Sequence, residues 1–139
     1  MGQQVREIMT SAPATVGVLT AVSEVAHRMR EENIGVVLVA EGDVLRGLVT
    51  DRDLVVRVLA EGKDPGETTV RDVCSTDLVT VAPGDAVDDA IRLMRENALR
   101  RLPVVEGSTA VGIVSLGDLA IERDPTSALG DVSAAAPHT

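Results

Sequence analysis

The sequence predicts a mixed α/β (α+β) fold made of two β-α-β-β-α units that pack with pseudo-twofold symmetry. The main observation is an internal repeat: residues 70–119 align without a gap on residues 5–54, and 16 of the 50 aligned positions are identical. A unit of ~60 residues buries too little surface to be stable alone, so we expect the two copies to share a buried face. Clefts between packed units commonly bind small molecules.

The repeat divides the chain into four segments. We expect the first unit at 4–62, a linker at 63–69, the second unit at 70–124 and a flexible tail at 125–139. The linker contains Pro65 and Gly66, and the tail is rich in alanine and serine, compositions that are typical of connecting and terminal segments.

Each copy opens with a short helical turn and an extended stretch that ends at Thr15-Val16 or Thr80-Val81, and a longer helix follows. Thr20 and Asp85 are the predicted N-caps of these helices. Apolar side chains recur at helical spacing and predict the buried face of each helix. These side chains are Val22, Val25, Ala26 and Met29 in the first copy, and Val87, Ala90, Ile91 and Met94 in the second.

Two strands and a final helix complete each copy. The middle strands contain Val36–Val39 and Leu102–Val105, and Pro103 predicts a strand start or an edge because it has no N–H to donate. The return strands each hold an interior glycine, Gly47 or Gly112, which indicates close approach of a backbone or a ligand. The final helices begin at Thr50, running to about Glu61, and at Ser115.

Composition excludes several functions. A net charge of −9 argues against a nucleic-acid partner, and there is no Phe, Tyr or Trp on which bases could stack. No apolar run is long enough to cross a membrane. The single cysteine, Cys74, fits a reducing cytoplasm and is interpreted as a small packing residue. No metal cluster and no nucleophile–base pair is recognisable, so we expect no enzyme activity.

The repeated motifs resemble those of the cystathionine β-synthase (CBS) domain pair. They read Gly-Leu-Val-Thr-Asp-Arg-Asp at 47–53 and Gly-Ile-Val-Ser-Leu-Gly-Asp at 112–118, and Arg-Arg-Leu-Pro-Val-Val at 100–105 is also similar. The resemblance covers about residues 4–123, as in small stand-alone CBS-pair proteins of bacteria. It implies a regulatory protein whose clefts bind AMP, ADP, ATP, S-adenosylmethionine or NAD.

The resemblance also implies site residues. The motif hydroxyls, Thr50 and Ser115, would meet phosphate, and the motif carboxylates, Asp53 and Asp118, would meet the ribose hydroxyls. An apolar slot for adenine would be lined by Thr15, Val16, Val36, Val37, Thr80, Val81, Leu102 and Pro103. Arg52 and Arg101 complete the expected ligand-binding set, and no catalytic or metal-binding residue is implied.

The motif has a second interpretation. A hydroxyl followed three residues later by a carboxylate is also a helix capping box, and the two roles are compatible. The copies differ beside it, because Asp51-Arg52 is replaced by Leu116-Gly117. We therefore expect unequal clefts, with the more complete one beside Arg52.

Three functions remain open from the sequence. The first is a non-enzymatic cytoplasmic sensor that binds an adenosine nucleotide, with no other cofactor, and signals to an unknown protein partner. The alternative is a ligand-free CBS dimer that acts as a protein-interaction module. An enzyme with unrecognised chemistry is the third. Leu54-Val55 and Val58-Leu59 predict an apolar surface for a homodimer.

Overall fold

A computed structural model describes residues 3–123 of the chain, with side chains described over 3–119. The predicted tail therefore lies outside the described residues. The fold is mixed α+β, as predicted, with two three-stranded sheets. The strands are β1 (Thr10–Ser11), β2 (Thr15–Gly17), β3 (Val36–Glu41), β4 (Val44–Thr50), β5 (Arg101–Glu106) and β6 (Thr109–Ser115). The helices are α1 (Val22–Glu32), α2 (Asp51–Leu54), α3 (Val87–Asn97) and α4 (Leu116–Arg123).

Two compact units form, and neither follows the repeat from end to end. Unit one comprises residues 14–78 and holds the sheet β2-β3-β4. Unit two comprises the described residues 3–13 and 79–123, and holds the sheet β1-β6-β5. The opening segment of each copy therefore belongs to the unit that carries the other copy's sheet. A short 3₁₀ turn lies in each opening segment, at Val5–Glu7 and at Val70–Asp72.

The interior glycines explain how the opening segments fit. A Cβ atom added to Gly47 would lie 2.6 Å from Cys74 Sγ and 2.9 Å from the Ser75 carbonyl oxygen. At the equivalent place in unit two, a Cβ atom on Gly112 would lie 2.5 Å from Met9 Sδ and 2.9 Å from the Thr10 carbonyl oxygen. The prediction of close approach at both glycines is confirmed, and a sulfur side chain and a backbone carbonyl of the opening segment approach each of them.

The predicted helix faces are mostly buried in the cores of their units. Val22, Val25 and Met29 pack with Val37, Val39 and Val49 in unit one, and Val87, Ala90 and Met94 pack with Leu102, Val104 and Val114 in unit two. Two expectations are corrected: Ala26 is exposed, and Ile91 is only half-buried.

The helix starts also differ from the prediction. The N-caps are Ala21 and Ala86, not Thr20 and Asp85, and neither makes a side-chain cap. The Asp85 carboxylate instead accepts a hydrogen bond from the Ala82 N–H at 2.9 Å, and the Thr20 carbonyl accepts one from the Val70 N–H. The segments before the helices are therefore held by hydrogen bonds within the loop and to the opening segment, in place of a side-chain cap.

The final helix of the first copy is also irregular. Only the four residues of α2 are α-helical, and a π-helical turn follows at Val55–Leu59. Its wider register is visible in the bonds from the Ala60 N–H to the Val55 carbonyl and from the Lys63 N–H to the Val58 carbonyl. The predicted single helix to Glu61 is therefore wrong in register, while α4 is α-helical throughout. In unit two, Pro103 lies on β5, an edge strand as predicted.

Candidate nucleotide site

The motif of the first copy forms a complete capping box where β4 meets α2. The Asp53 N–H donates to Thr50 Oγ1 at 3.2 Å, and the Thr50 N–H donates to Asp53 Oδ2 at 2.8 Å. The Thr50 hydroxyl lies 3.0 Å from the same Oδ2 atom and donates to it. The Asp53 side chain retains 16% of its exposure. The box thus holds one carboxylate oxygen in place while the group stays accessible to solvent.

The motif of the second copy has the same geometry. The Ser115 N–H donates to Asp118 Oδ2 at 3.0 Å, and the Asp118 N–H donates to Ser115 Oγ at 3.1 Å. The capping interpretation is confirmed at both motifs. It is compatible with ligand binding because a boxed carboxylate keeps a second oxygen that can accept further hydrogen bonds.

Each helix is tied to the residue that precedes the middle strand of its unit. The Asp51 N–H donates to the Gly35 carbonyl at 3.0 Å, and the Leu116 N–H donates to the Arg100 carbonyl at 2.7 Å. These bonds join the first residue of the helix to the start of the middle strand. The motif and the middle strand therefore form one rigid corner in each unit.

Strand register decides which predicted residues share a sheet face. Val36 is the cross-strand partner of Thr50, and Arg101 is the cross-strand partner of Ser115. Partners of this kind point to the same face of the sheet. In unit one, Thr15 pairs with Leu38, two residues along β3 from Val36, and so lies on that face too. We call this surface the motif face of the unit.

Four of the predicted slot residues lie on the opposite face. Val37 and Leu102 are 1% and 0% exposed and belong to the cores of units one and two. Val81 is also a core residue, and Val16 packs against the core of unit one. A ligand could reach these four residues only through their backbone, and the assignment of all eight positions to an adenine slot stays a prediction.

The other predicted slot residues are held by backbone bonds. Arg28 Nη1 donates to the Thr15 carbonyl at 2.9 Å, which ties the end of α1 to β2. In unit two, the Val81 N–H donates to the Pro103 carbonyl at 3.1 Å, in a parallel bridge beside β5. Thr80, the residue before that bridge, is half-buried, and Pro103 is buried.

The cations around the two motifs are not arranged as the sequence indicated. Arg52 is exposed on α2, and its backbone N–H donates to Asp51 Oδ1 at 2.8 Å. In unit two the cation Arg101 is directly opposite Ser115 on the motif face and is half-buried. Strand pairing therefore brings a cation to the second motif as well, although the sequence favoured the cleft beside Arg52 as the more complete one.

Sequence reasoning missed Arg57, which contacts the first motif. Arg57 Nε lies 3.7 Å from Asp53 Oδ1, and Arg57 Nη1 donates to the Val73 carbonyl at 3.2 Å. The arginine is 49% exposed, so its ion pair with Asp53 is weak. Its spacing of four residues from Asp53 was the available signal. The aligned residue of the second copy is Glu122, with the opposite charge.

Cys74 lies in the core of unit one, beside Gly47 and one residue after Val73. Burial raises the pKa of its thiol, and the nearby Arg57 opposes that shift. Burial thus disfavours the thiolate, which is the nucleophile, and lowers the reactivity of this thiol. The interpretation as a packing residue agrees with this position.

An apolar groove of about 190 Å³ lies between α1 and the π-helical turn of unit one. Its lining comprises Val22, Ala26, Leu54, Val55, Val58, Leu59 and Pro65. Val55 and Leu59 are 54% and 72% exposed, which is unusual for large apolar side chains. Of the predicted association surface, Val55 and Leu59 are therefore exposed, whereas Val58 is buried in the core of unit one and Leu54 packs against that core, which corrects the expectation for these two residues.

The described residues contain neither a metal-binding cluster nor a membrane-spanning helix. Among the side chains of 3–119, no three histidine, cysteine or acidic groups come close enough together to hold a metal ion. No helix in that part of the chain has the length and apolar character of a membrane span.

Comparison with known proteins agrees with this architecture. The CBS domain family model matches twice, at residues 5–60 and 70–123. The chain belongs to the CBS domain family. CBS domain-containing protein YhcV of Bacillus subtilis is 41% identical over 126 residues, which cover 91% of this chain and 89% of the relative.

Solved structures of CBS proteins share the fold. Hypoxic Response Protein I, solved with two coordinated zinc ions, is 32% identical with a TM-score of 0.78, and the match covers 85% of this chain and 97% of that one. The hexameric CBS-CP12 protein from bloom-forming cyanobacteria is 32% identical with a TM-score of 0.77, covering 89% of this chain and 74% of that one. The chain is thus a small tandem CBS-pair protein of a generally regulatory family.

Proposed function

We propose that this CBS pair is a non-enzymatic cytoplasmic sensor that binds an adenosine nucleotide at its two motifs and signals to a protein partner. The observation that carries the proposal is the boxed carboxylate. Both Asp53 and Asp118 are held by one oxygen at the end of a strand, in the same geometry 65 residues apart. A fixed carboxylate with a second oxygen to offer can accept hydrogen bonds from the two hydroxyls of a ribose.

The phosphate end of the ligand would meet different chemistry in the two units. Arg101, opposite Ser115, offers a guanidinium that can bind phosphate with two parallel hydrogen bonds. Val36 occupies the equivalent place opposite Thr50 and offers no charge. The second motif therefore favours nucleotides with more phosphate groups, and the first favours ligands with less negative charge.

A thermal-shift screen with AMP, ATP, S-adenosylmethionine and NAD tests the proposal. A ligand at 100 times its dissociation constant stabilises the folded protein by about 2.7 kcal/mol, which raises the melting temperature by several degrees. Calorimetric titration of each ligand that shifts the melting temperature gives its affinity and stoichiometry. The absence of a shift with all four would refute nucleotide binding of this class.

The second candidate function is an interaction module, and the apolar groove of unit one favours it. We propose a homodimer formed through Val55 and Leu59, in keeping with the hexameric assembly of CBS-CP12. A charge placed in a buried apolar interface is costly. Leu59→Asp should therefore shift sedimentation from a dimer towards the 14.5 kDa species.

Leu19→Asp is the matched control, because Leu19 is 70% exposed and lies outside the groove. It should leave the dimer intact. A wild-type protein that sediments at 14.5 kDa at micromolar concentration would exclude this surface as a dimer interface.

A further inference from the structure

The carboxylate of Asp53 has two distinct oxygens. Oδ2 accepts the hydrogen bonds of the capping box, whereas Oδ1 faces Arg57 Nε at 3.7 Å. A ribose that binds Asp53 would therefore use Oδ1, the oxygen that Arg57 occupies. Ligand and arginine compete for the same atom.

Arg57 also holds a second part of unit one. Its Nη1 donates to the Val73 carbonyl, which belongs to the opening segment of the second copy. That segment is anchored by the Cys74 side chain beside Gly47 and by backbone bonds between Ser75 and Leu48. Arg57 thus joins the ligand-binding carboxylate to the segment that enters unit one from the other copy.

The arginine lies in the π-helical turn, which also presents the exposed groove residues Val55 and Leu59. π-helical turns are less regular than α-helix and occur often at functional sites. The second copy has no equivalent, because α4 is α-helical and carries Glu122 at the aligned position. The connection is therefore a property of unit one alone.

We propose that Arg57 is a relay: occupation of Asp53 by a nucleotide releases Arg57, loosens the Val73–Cys74 segment and so changes the order of the π-helical surface next to it. This inference rests on the proposed nucleotide binding and adds the route by which occupancy is transmitted. Arg57 is a positioning residue in this scheme, since it acts through Asp53 and Val73.

The single cysteine reports on this segment directly. Cys74 is buried, so alkylation requires local opening around it. We would measure the iodoacetamide alkylation rate of the full chain under native conditions, and its stability by urea unfolding. Arg57→Gln should raise the alkylation rate about three- to tenfold, because it loses both the ion pair with Asp53 and the hydrogen bond to the Val73 carbonyl. Asp53→Asn should raise the rate less, because it loses only the ion pair.

Matched controls separate the relay from general destabilisation. Asp118→Asn removes the equivalent carboxylate of unit two, and Arg52→Gln removes a neighbouring exposed cation; both should leave the rate within twofold of wild type. Arg57→Lys keeps the charge and should restore part of the protection. A rise in Asp118→Asn equal to that in Asp53→Asn, or a rise explained fully by the urea-derived stability, would overturn the relay.

AMP completes the test. Saturating AMP should accelerate alkylation of the wild type and leave Arg57→Gln unchanged, with binding followed separately by calorimetry. AMP that binds without changing the wild-type rate, or that slows it, refutes the relay and leaves the proposed function standing. If AMP gives no heat of binding, the ligand of the four-member screen that raises the melting temperature takes its place. If none of the four binds, the nucleotide proposal fails, and the variants alone decide whether Arg57 restrains the segment.

Discussion

The two motif corners of this protein share a backbone and differ in their charges. Each has a boxed carboxylate, at Asp53 or Asp118, and the same bond from the helix start to the middle strand. Around unit one the cation is Arg57, on the helix side of the carboxylate. In unit two the cation is Arg101, which is the cross-strand partner of the motif residue Ser115. The repeat thus preserves the carboxylate that would hold ribose and varies its electrostatic surroundings, which are what would distinguish ligands and responses.

The largest expected effect concerns the residues that register places in the core. Leu102→Ala should lower the free energy of unfolding by about 2–5 kcal/mol, because a fully buried leucine leaves a cavity. Nucleotide affinity, measured well below the melting temperature, should stay within twofold. Val37→Ala in unit one should lower the free energy of unfolding less and should also leave nucleotide affinity unchanged. If either variant lost affinity selectively, its side chain would have to contact the ligand.

The two carboxylates can be compared by removing each. Asp53→Ala and Asp118→Ala should each weaken nucleotide binding at their own site about tenfold to a hundredfold, because hydrogen bonds to charged groups contribute roughly 1.5–3 kcal/mol. Each should also lose about 0.5–2 kcal/mol of stability through the broken capping box. Calorimetry of the single and double variants measures the two sites separately. Lower stability with unchanged affinity in both would leave only the capping role.

Substitution of Arg101, the cation on the motif face of unit two, tests whether this unit favours ligands with more phosphate groups. Arg101→Gln should weaken ATP binding about tenfold, from the loss of one charge-assisted contact, and leave adenosine binding within twofold. Arg95→Gln removes an exposed cation of α3 outside the expected ligand-binding set, serves as the control and should change neither. Calorimetric titration with both ligands is the measurement. Equal losses for ATP and adenosine would mean that Arg101 supports the strand and does not meet phosphate.

The residues at the C-caps of α1 and α3 differ between the units, and we expect this difference to have a smaller effect on stability. The C-caps of α1 and α3 both adopt the left-handed conformation, at Asn33 with φ 56° and at Ala98 with φ 53°. Asparagine tolerates this region and alanine does not, so Ala98→Gly should raise the free energy of unfolding by about 0.5–1 kcal/mol. Urea unfolding measures it. Asn33→Gly is the reference and should change stability less.

The smallest effect is a pH dependence confined to unit one. Burial raises the pKa of the Cys74 thiol in the folded state, so the unfolded chain loses that proton first as pH rises. The stabilisation is complete below the ordinary thiol pKa of 9.0 and is lost as pH rises through the folded value. Wild-type stability should therefore fall more steeply than that of Cys74→Ala above about pH 8.5. Parallel slopes for the two proteins would contradict the burial effect.

Much of the site could be read from the sequence because its contacts are local. The capping boxes join residues three apart, so spacing alone indicated the capping contact of each motif, whereas the ligand role of the hydroxyl and the carboxylate came from the resemblance to the CBS family. Arg57 was missed although it is only four residues from Asp53, because the π-helical register and the contact with Val73 are not encoded in that spacing.

By itself the sequence determined the repeat, the resemblance to the CBS family, the order of α1, β3 and β4 and of α3, β5 and β6, and the capping carboxylates of the two motifs. Periodicity, glycine positions and turn residues are local signals, and they agree in both copies. Only the tertiary structure decided that the opening segment of each copy pairs with the other copy's sheet, and that Arg101 faces the same side as Ser115 while Leu102 enters the core. Pairing between distant strands sets both outcomes, and because side chains alternate between faces, a shift of one residue would exchange a ligand contact for a core contact.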